Sequence, residues 1–276
     1  MISAQQLAKY LKWLGAVAAS VVIASMALPA SAAVIGAAVT AGSDNYTNFV
    51  QVDPDYAIAG DMFGIRTTGA PGPDGLPFAV EDASPDFGDA QGVIQNYQTG
   101  GVVDPDPFFG VVDTVNGSGN DVNVAYWDFD ISSVVGDLLV KIDFAAMGDF
   151  EASGDYWNVT YSVDAGPSMP LFTSSINEDI DQTYNSLNPG GFSGVVLADP
   201  ALINGVLLDN AFQTISAPIA TTGSTLRLTF TAQGDGGTEA FAFRNLTVEV
   251  TVPEPTSVVL VGLGLCGLLG TTRRRR

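Results

Sequence analysis

The feature that most constrains this chain is a two-residue hydrophobic period that recurs in separate segments, with no long helical period between them. Leu138, Val140, Ile142 and Phe144 fall on one side of an extended segment, with Leu139, Lys141 and Asp143 on the other. Trp157, Val159, Tyr161 and Val163 alternate with Asn158, Thr160 and Ser162, and Leu226, Leu228 and Phe230 with Arg227, Thr229 and Thr231. Side chains alternate across a strand, so these patterns predict half-buried antiparallel strands with one face on a core and one in water. Val122, Val124 and Tyr126 predict another. Near the end of the set, Phe241 and Phe243 share one phase and Leu246, Val248 and Val250 the other. The slip at Arg244 and Asn245 predicts a β-bulge there, which would return both groups to one buried face. The helical expectations inside this region are a single turn over 132–137 and a short helix over 200–208.

The expected class is therefore all-β, an antiparallel β-sandwich with long loops over residues 33–252. Residues 67–121 are rich in Pro, Gly and Asp and read as a loop-rich insertion, with short strands near 93–97 and 108–115. Phe78, Phe87, Phe108 and Phe109 are interleaved in it, which favours packing on the same domain over a free linker. About 220 residues suffice for one large sandwich. The chain has 276 residues, a net charge of −20 and no histidine. Residues 33–252 hold 29 of the 30 acidic residues against four basic ones, leaving a net charge near −25. Such a surface repels phosphate backbones and argues against nucleic-acid binding, while it favours cations.

The two ends differ from the middle. Residues 1–32 carry Lys9 and Lys12, an apolar run from Trp13 to Leu28, and the small-x-small sequence Ala30-Ser31-Ala32. This is the pattern of a secretory signal peptide, an N-terminal signal helix cleaved after Ala32, with Ala30 and Ala32 as the recognised small residues. The one cysteine, Cys266, lies in the C-terminal apolar run, so the domain has no disulfide to rely on. The tail VPEPTSVVLVGLGLCGLLGTTRRRR combines Pro253-Glu254-Pro255, an apolar segment over 256–272 and Arg273, Arg274, Arg275 and Arg276. As a helix that segment reaches about 25 Å, a marginal membrane span, and four glycines between 258 and 270 weaken it further. The terminal arginines favour a cytoplasmic end.

In its order, spacing and position, the tail at 253–276 resembles the PEP-CTERM sorting signal. The resemblance implies recognition by an integral-membrane exosortase, with Pro253, Glu254, Pro255 and the four arginines as the sorting and processing residues. It implies export by the secretion machinery, an inner-membrane-anchored intermediate, and delivery to the cell surface or an exopolysaccharide-containing matrix. The segments FDIS, GDFEASGDYWNVTYSVDAG, TLRLTFTA and EAFAFRNLTVEV, in that order from Trp127 to Val250, resemble extracellular jelly-roll or lectin-like domains. That likeness implies a concanavalin- or galactose-binding-like sandwich.

Without histidine, no Ser-His-Asp triad, Cys-His pair or imidazole base can be built. A glycosidase needs only two carboxylates flanking a cleft, so a carboxylate-based glycan hydrolase stays open, although glutamates are few. The expectation is a non-enzymatic protein. Calcium suits the acids better, because hard cations take six to eight oxygen ligands. Asp149, Glu151 and Asp155 follow a turn at the start of a strand and are the candidate metal ligands, with Ca2+ as the cation they suit. Asp113, Asn116, Ser118, Asn120 and Asp121 form a second oxygen-rich run that lacks the EF-hand order. Tyr126-Trp127 and Tyr156-Trp157 each place one ring outward, where it could stack on a sugar. Three functions follow: an adhesive or structural exported protein associated with exopolysaccharide, a carbohydrate-binding module, or the hydrolase.

Overall fold

Alternating sequence becomes strand throughout the computed structural model, which describes residues 32–52, 62–67, 97–98, 102–103, 106–115, 123–188, 191–220, 222–236 and 239–251. The expected signal helix, the C-terminal membrane helix and most of the 67–121 insertion lie outside these residues. Among the described residues every regular element is a strand, and no helix is long and apolar enough to cross a membrane. The first eight strands are β1 (Ala32–Ala38), β2 (Asn48–Gln51), β3 (Met62–Thr67), β4 (Tyr97–Gln98), β5 (Val102–Val103), β6 (Pro107–Val112), β7 (Asn123–Asp130) and β8 (Leu138–Met147). Then come β9 (Tyr156–Val163), β10 (Met169–Ile176), β11 (Asp181–Asn188), β12 (Gly191–Ala198), β13 (Ala201–Ile203), β14 (Val206–Leu207), β15 (Gln213–Ile219), β16 (Thr225–Gln233) and β17 (Ala240–Thr251).

Residues Ala33–Val250 make one compact unit. Six strands form one sheet, in the order β15-β8-β17-β6-β3 with β1 also on β17, and seven form the other, β14-β13-β10-β9-β16-β7-β2. Along both of these orders, each neighbouring pair is antiparallel. Their apolar faces meet in one core that takes Val140, Ile142 and Phe144 from β8, Trp157 and Val159 from β9, and Leu226, Leu228 and Phe230 from β16. Aromatic rings fill its centre. Phe109 stacks on Phe243 at 5.1 Å, Trp157 on Phe241 at 4.8 Å, and Phe230 meets both Phe241 and Phe243. Fully burying one such side chain contributes about 1.5–3 kcal/mol, which lets the fold do without disulfides.

The bulge stands where the phase slip placed it. Arg244 pairs with Asp143 and Thr247 with Lys141, so Asn245 and Leu246 together oppose one residue of β8. Asn245 has φ 50, its N–H donates to Val39 O at 2.9 Å, and its Nδ2 donates to Asp143 Oδ2 at 2.8 Å. On one side of the bulge β17 pairs with β6 through Ala240–Phe243; the strand also carries β1.

Two local expectations change. Residues 200–208 form no helix; they make the hairpin β13–β14, turned by Asn204 (φ 50) and Gly205 (φ 78). Two successive left-handed residues with an Asn-Gly sequence are the tight hairpin turn that matches strand twist, and this signal outweighed the apolar run around it. Within 132–137 there is no helical segment but a tight turn at Ser132 and Ser133, closed by Val134 N–H to Ile131 O and by Ser132 N–H to the Asp130 carboxylate. The hairpin β11–β12 adds a third layer: Tyr184 and Leu197 pack on Ala145, Met147, Ala240 and Ala242, which lie on the outer face of the six-stranded sheet.

Candidate metal centre

Two chain crossovers run side by side at one end of the sandwich. The chain leaves β8 of one sheet and enters β9 of the other through residues 148–155. It returns from β16 to β17 through residues 234–239. The pairs Gln233–Tyr156 and Ala240–Met147 hold the two crossovers adjacent. Glu151 and Asp155 stand on the first, Asp235 and Glu239 on the second. One oxygen from each of the four carboxylates lies within 4.8 Å of the others.

Backbone geometry aims these groups inward. Gly154 N–H and Asp155 N–H both donate to Glu151 O, at 3.1 and 2.8 Å, which curls the first crossover. Asp155 Oδ2 accepts from Glu151 N–H at 2.7 Å and its Oδ1 from Asp235 N–H at 3.0 Å, tying one crossover to the other. Gly234 is held to Thr114 by a pair of hydrogen bonds, Gly234 N–H to Thr114 Oγ1 at 3.0 Å and Thr114 N–H to Gly234 O at 2.7 Å. Glycines leave the room: a Cβ on Gly154 would collide with the Asp235 carboxylate, one on Gly236 with the Glu239 carboxylate, and one on Gly148 with Glu239 Cα at 2.8 Å.

Burial is uneven. Glu151 and Asp235 are exposed, while Asp155 and Glu239 are 5% and 4% exposed. Glu239 Oε2 is fully buried and has no hydrogen-bond partner. Desolvation, and then the Asp155 charge, push the Glu239 carboxyl well above the usual carboxylate range. Desolvation also raises Asp155 and Glu151; the backbone N–H donors oppose it at Asp155 and the Glu239 carboxyl opposes it at both, while the Asp235 charge adds to it. At an effective dielectric near 20, two like charges this close repel by roughly 3–4 kcal/mol. The arrangement therefore either holds protons or holds a cation.

Of the three candidate ligands seen in the sequence, Glu151 and Asp155 belong to this group and Asp149 does not. Asp149 is exposed, and its charge acts on Asp199 and Tyr184. Asp235 and Glu239 were missed because they arrive from the other crossover, some 80 residues away; the glycine-rich GDGGTE that carries them was the available signal. The second oxygen-rich run lies mostly outside the described residues, and Asp113 adopts φ 37. Arg244 sits over the Phe212 ring at 4.3 Å with Asp106 3.9 Å away. Glu249, on the side of β17 away from Val248 and Val250, is buried and bonds Lys141 at 2.7 Å. Trp127 and Trp157 are core residues at 1% and 2% exposure, so Tyr126 and Tyr156 are the outward members of their pairs. Arg227 covers the Tyr126 ring, 3.9 Å from its centroid.

Solved structures similar to this chain include TmCBM61 in complex with β-1,4-galactotriose, at 7% identity and TM-score 0.32 over 74% of this chain and 89% of that one. The xylan-binding domain CBM22-1 of Paenibacillus barcinonensis Xyn10C is similar at 6% identity and TM-score 0.30, over 82% and 99%. The K3 cleaved adhesin domain of Lys-gingipain from Porphyromonas gingivalis is similar at 11% identity and TM-score 0.32, over 72% and 90%. No curated protein matches the chain. Ala32 is the exposed first residue of β1, whereas Ala30, Pro253, Glu254, Pro255 and Arg273 to Arg276 lie outside the described residues, but the model of one sequence family covers most of this set. Residues 251–276 match the PEP-CTERM protein-sorting motif, and the chain is a β-sandwich protein that ends in that motif.

Proposed function

We propose that this is an exported, non-enzymatic protein of the cell surface or extracellular matrix, handed to an exosortase by its tail and associated with exopolysaccharide through its β-sandwich. The sorting motif at 251–276 carries this reading. It is supported by the signal-peptide pattern of residues 1–32, which sets the domain outside the cytoplasm, and by the acidic surface, which keeps an exported domain soluble. The domain boundaries follow: 1–32 signal peptide, 33–252 ectodomain, 253–276 sorting signal. In this reading the membrane segment is a transient anchor, removed when the exosortase acts near Pro253-Glu254-Pro255.

A carbohydrate-binding module is the second reading, and the outer face of the seven-stranded sheet favours it. Tyr156, Asn158, Thr160 and Ser162 of β9 stand beside Gln233, Thr231, Thr229 and Arg227 of β16, and Tyr126 and Asp128 of β7 continue the face. Hydroxyls, amides and the Tyr156 ring make a surface that can hydrogen-bond and stack on sugar rings, while Arg227 covers the Tyr126 ring.

Fractionation of the native host with and without its exosortase tests the first reading. The expected result is that loss of the exosortase traps the chain at the inner membrane with its tail intact. Identical secretion in both hosts would refute it. Affinity electrophoresis through gels of the host exopolysaccharide tests the second: retardation that Tyr156→Ala weakens supports it, and unretarded migration removes it.

A further inference from the structure

We infer that Glu151, Asp155, Asp235 and Glu239 bind one calcium ion that joins the two crossovers between the sheets. This site is independent of where the chain is delivered. Its first support is convergence: four carboxylates from two separate crossovers present oxygens within 4.8 Å of one another, a spread that a cation with ligands at 2.3–2.6 Å can span. Its second support is Glu239, whose Oε2 is buried without a partner and sits in the same cluster. A buried carboxylate oxygen without a hydrogen bond is costly, and in native proteins it ordinarily has a partner such as water or an ion. Among the described side chains, the cations are engaged elsewhere: Lys141 by Glu249, Arg227 by Asp128, and Arg244 over Phe212 near Asp106.

The donor set chooses the ion. All four ligands are hard carboxylate oxygens, with no nitrogen or sulfur, which disfavours zinc and copper. Magnesium demands near-ideal octahedral geometry at 2.0–2.1 Å and keeps most of its waters, whereas calcium accepts an irregular shell that mixes buried and exposed ligands. Here Asp155 and Glu239 are buried and Glu151 and Asp235 exposed, so two ligands anchor the ion and water can complete the shell on the open side. Asp155 has a double task. Its two oxygens already accept N–H groups from both crossovers, which orients it without neutralising it. Gly154 and Gly236 leave the space that the Asp235 and Glu239 carboxylates occupy. The bound ion cancels the repulsion between the crossovers and links the start of β9 to the start of β17, that is, one sheet to the other.

The test uses the full-length protein in detergent, stripped with a chelator and then titrated with Ca2+ alone in 0.15 M NaCl. Calorimetry should show one equivalent bound, and the melting temperature should rise by about 5–10 °C when free Ca2+ reaches a hundredfold excess over Kd. Glu239→Gln and Asp155→Asn should each weaken binding at least tenfold, while Asp149→Asn should leave it unchanged. Asp155→Asn also removes one of the two oxygens that accept backbone N–H groups, so it perturbs folding as well as binding. Gly154→Ala keeps all four carboxylates, and its methyl group should weaken binding by displacing Asp235. The inference is overturned if millimolar Ca2+ gives neither heat nor a melting shift. Equal binding by Mg2+, or a loss of binding in Asp149→Asn as large as in Glu239→Gln, also overturns it.

Discussion

Asp128 and Arg227 face each other across β7 and β16 on the outer face of the seven-stranded sheet, and their pairing is bidentate. Arg227 Nε donates to Asp128 Oδ1 at 2.7 Å and its terminal nitrogen to Oδ2 at 2.8 Å, while Asn48 adds a bond at 3.1 Å. The Arg227 hydrogen bond is the largest influence on the Asp128 carboxyl and holds it below its ordinary value. A carboxyl depressed in the folded state stabilises the protein above its unfolded pKa, near 4, and loses that contribution as pH falls through the lower folded value. Arg227 is 43% exposed at its side chain, so the contribution is that of a surface pair, about 1 kcal/mol or less. Asp128→Asn is therefore expected to lower stability modestly at pH 7, with a smaller gap to wild type in strong acid, below the unfolded pKa. Urea denaturation at pH 7 and in strong acid measures it; an equal gap at both would show that charge is not what Asp128 contributes. This pair was only half legible in the sequence. Alternation set Arg227 outward, but nothing in β16 names a partner in β7, because cross-strand neighbours are fixed by register and not by spacing along the chain.

Among elements, those with strong periodicity were the legible ones. β8, β9 and β16 alternate over six or more residues and came out with the faces that alternation assigns. The bulge in β17 was legible for the same reason, since a two-residue period makes a one-residue slip visible. Its left-handed Asn245 gives it a chemical signature. Asn245→Val puts a β-branched side chain at φ 50 and removes the bond to Asp143, for an expected loss of roughly 1–3 kcal/mol. Asn245→Gly keeps the backbone and should lose less; thermal denaturation of both variants separates conformation from hydrogen bond. The β13–β14 hairpin was illegible to periodicity, because three- and two-residue strands are too short to show a period. Its signal is the Asn204-Gly205 dipeptide. A Cβ on Gly205 would meet nothing within 4 Å, so Gly205→Ala tests backbone conformation alone. At φ 78 it is expected to destabilise by about 1–2 kcal/mol in chemical denaturation. No loss would mean that the turn relaxes to another type. The four-carboxylate cluster shows the complementary limit: each half is a short acidic loop, and only the pairing of β9 with β16 and of β8 with β17 brings the halves together.

The whole molecule carries a consequence of its charge for whatever polysaccharide it meets. Residues 33–252 hold 29 acidic and four basic residues, and at least two of the basic ones, Lys141 and Arg227, are already neutralised by Glu249 and Asp128. The long-range field is therefore negative in nearly every direction. The outer face of the seven-stranded sheet offers hydroxyls and amides, and its Arg227 is already paired. An anionic polymer approaching this face would meet repulsion with few compensating contacts, whereas a neutral one would meet hydrogen-bonding groups at no electrostatic cost. If the surface reading is right, the chelator-treated protein should bind neutral polysaccharide at least tenfold more tightly than a uronic-acid polymer of similar length. The preference should narrow when ionic strength rises from 0.02 to 0.5 M, because the Debye length shrinks to a few ångströms. Millimolar Ca2+ should narrow it too, by bridging surface carboxylates to those of the polymer. Affinity electrophoresis across this series of polymers and salts measures the effect. Equal binding of neutral and anionic polymers at low salt would mean that a local basic or metal-filled patch, and not the overall field, governs recognition.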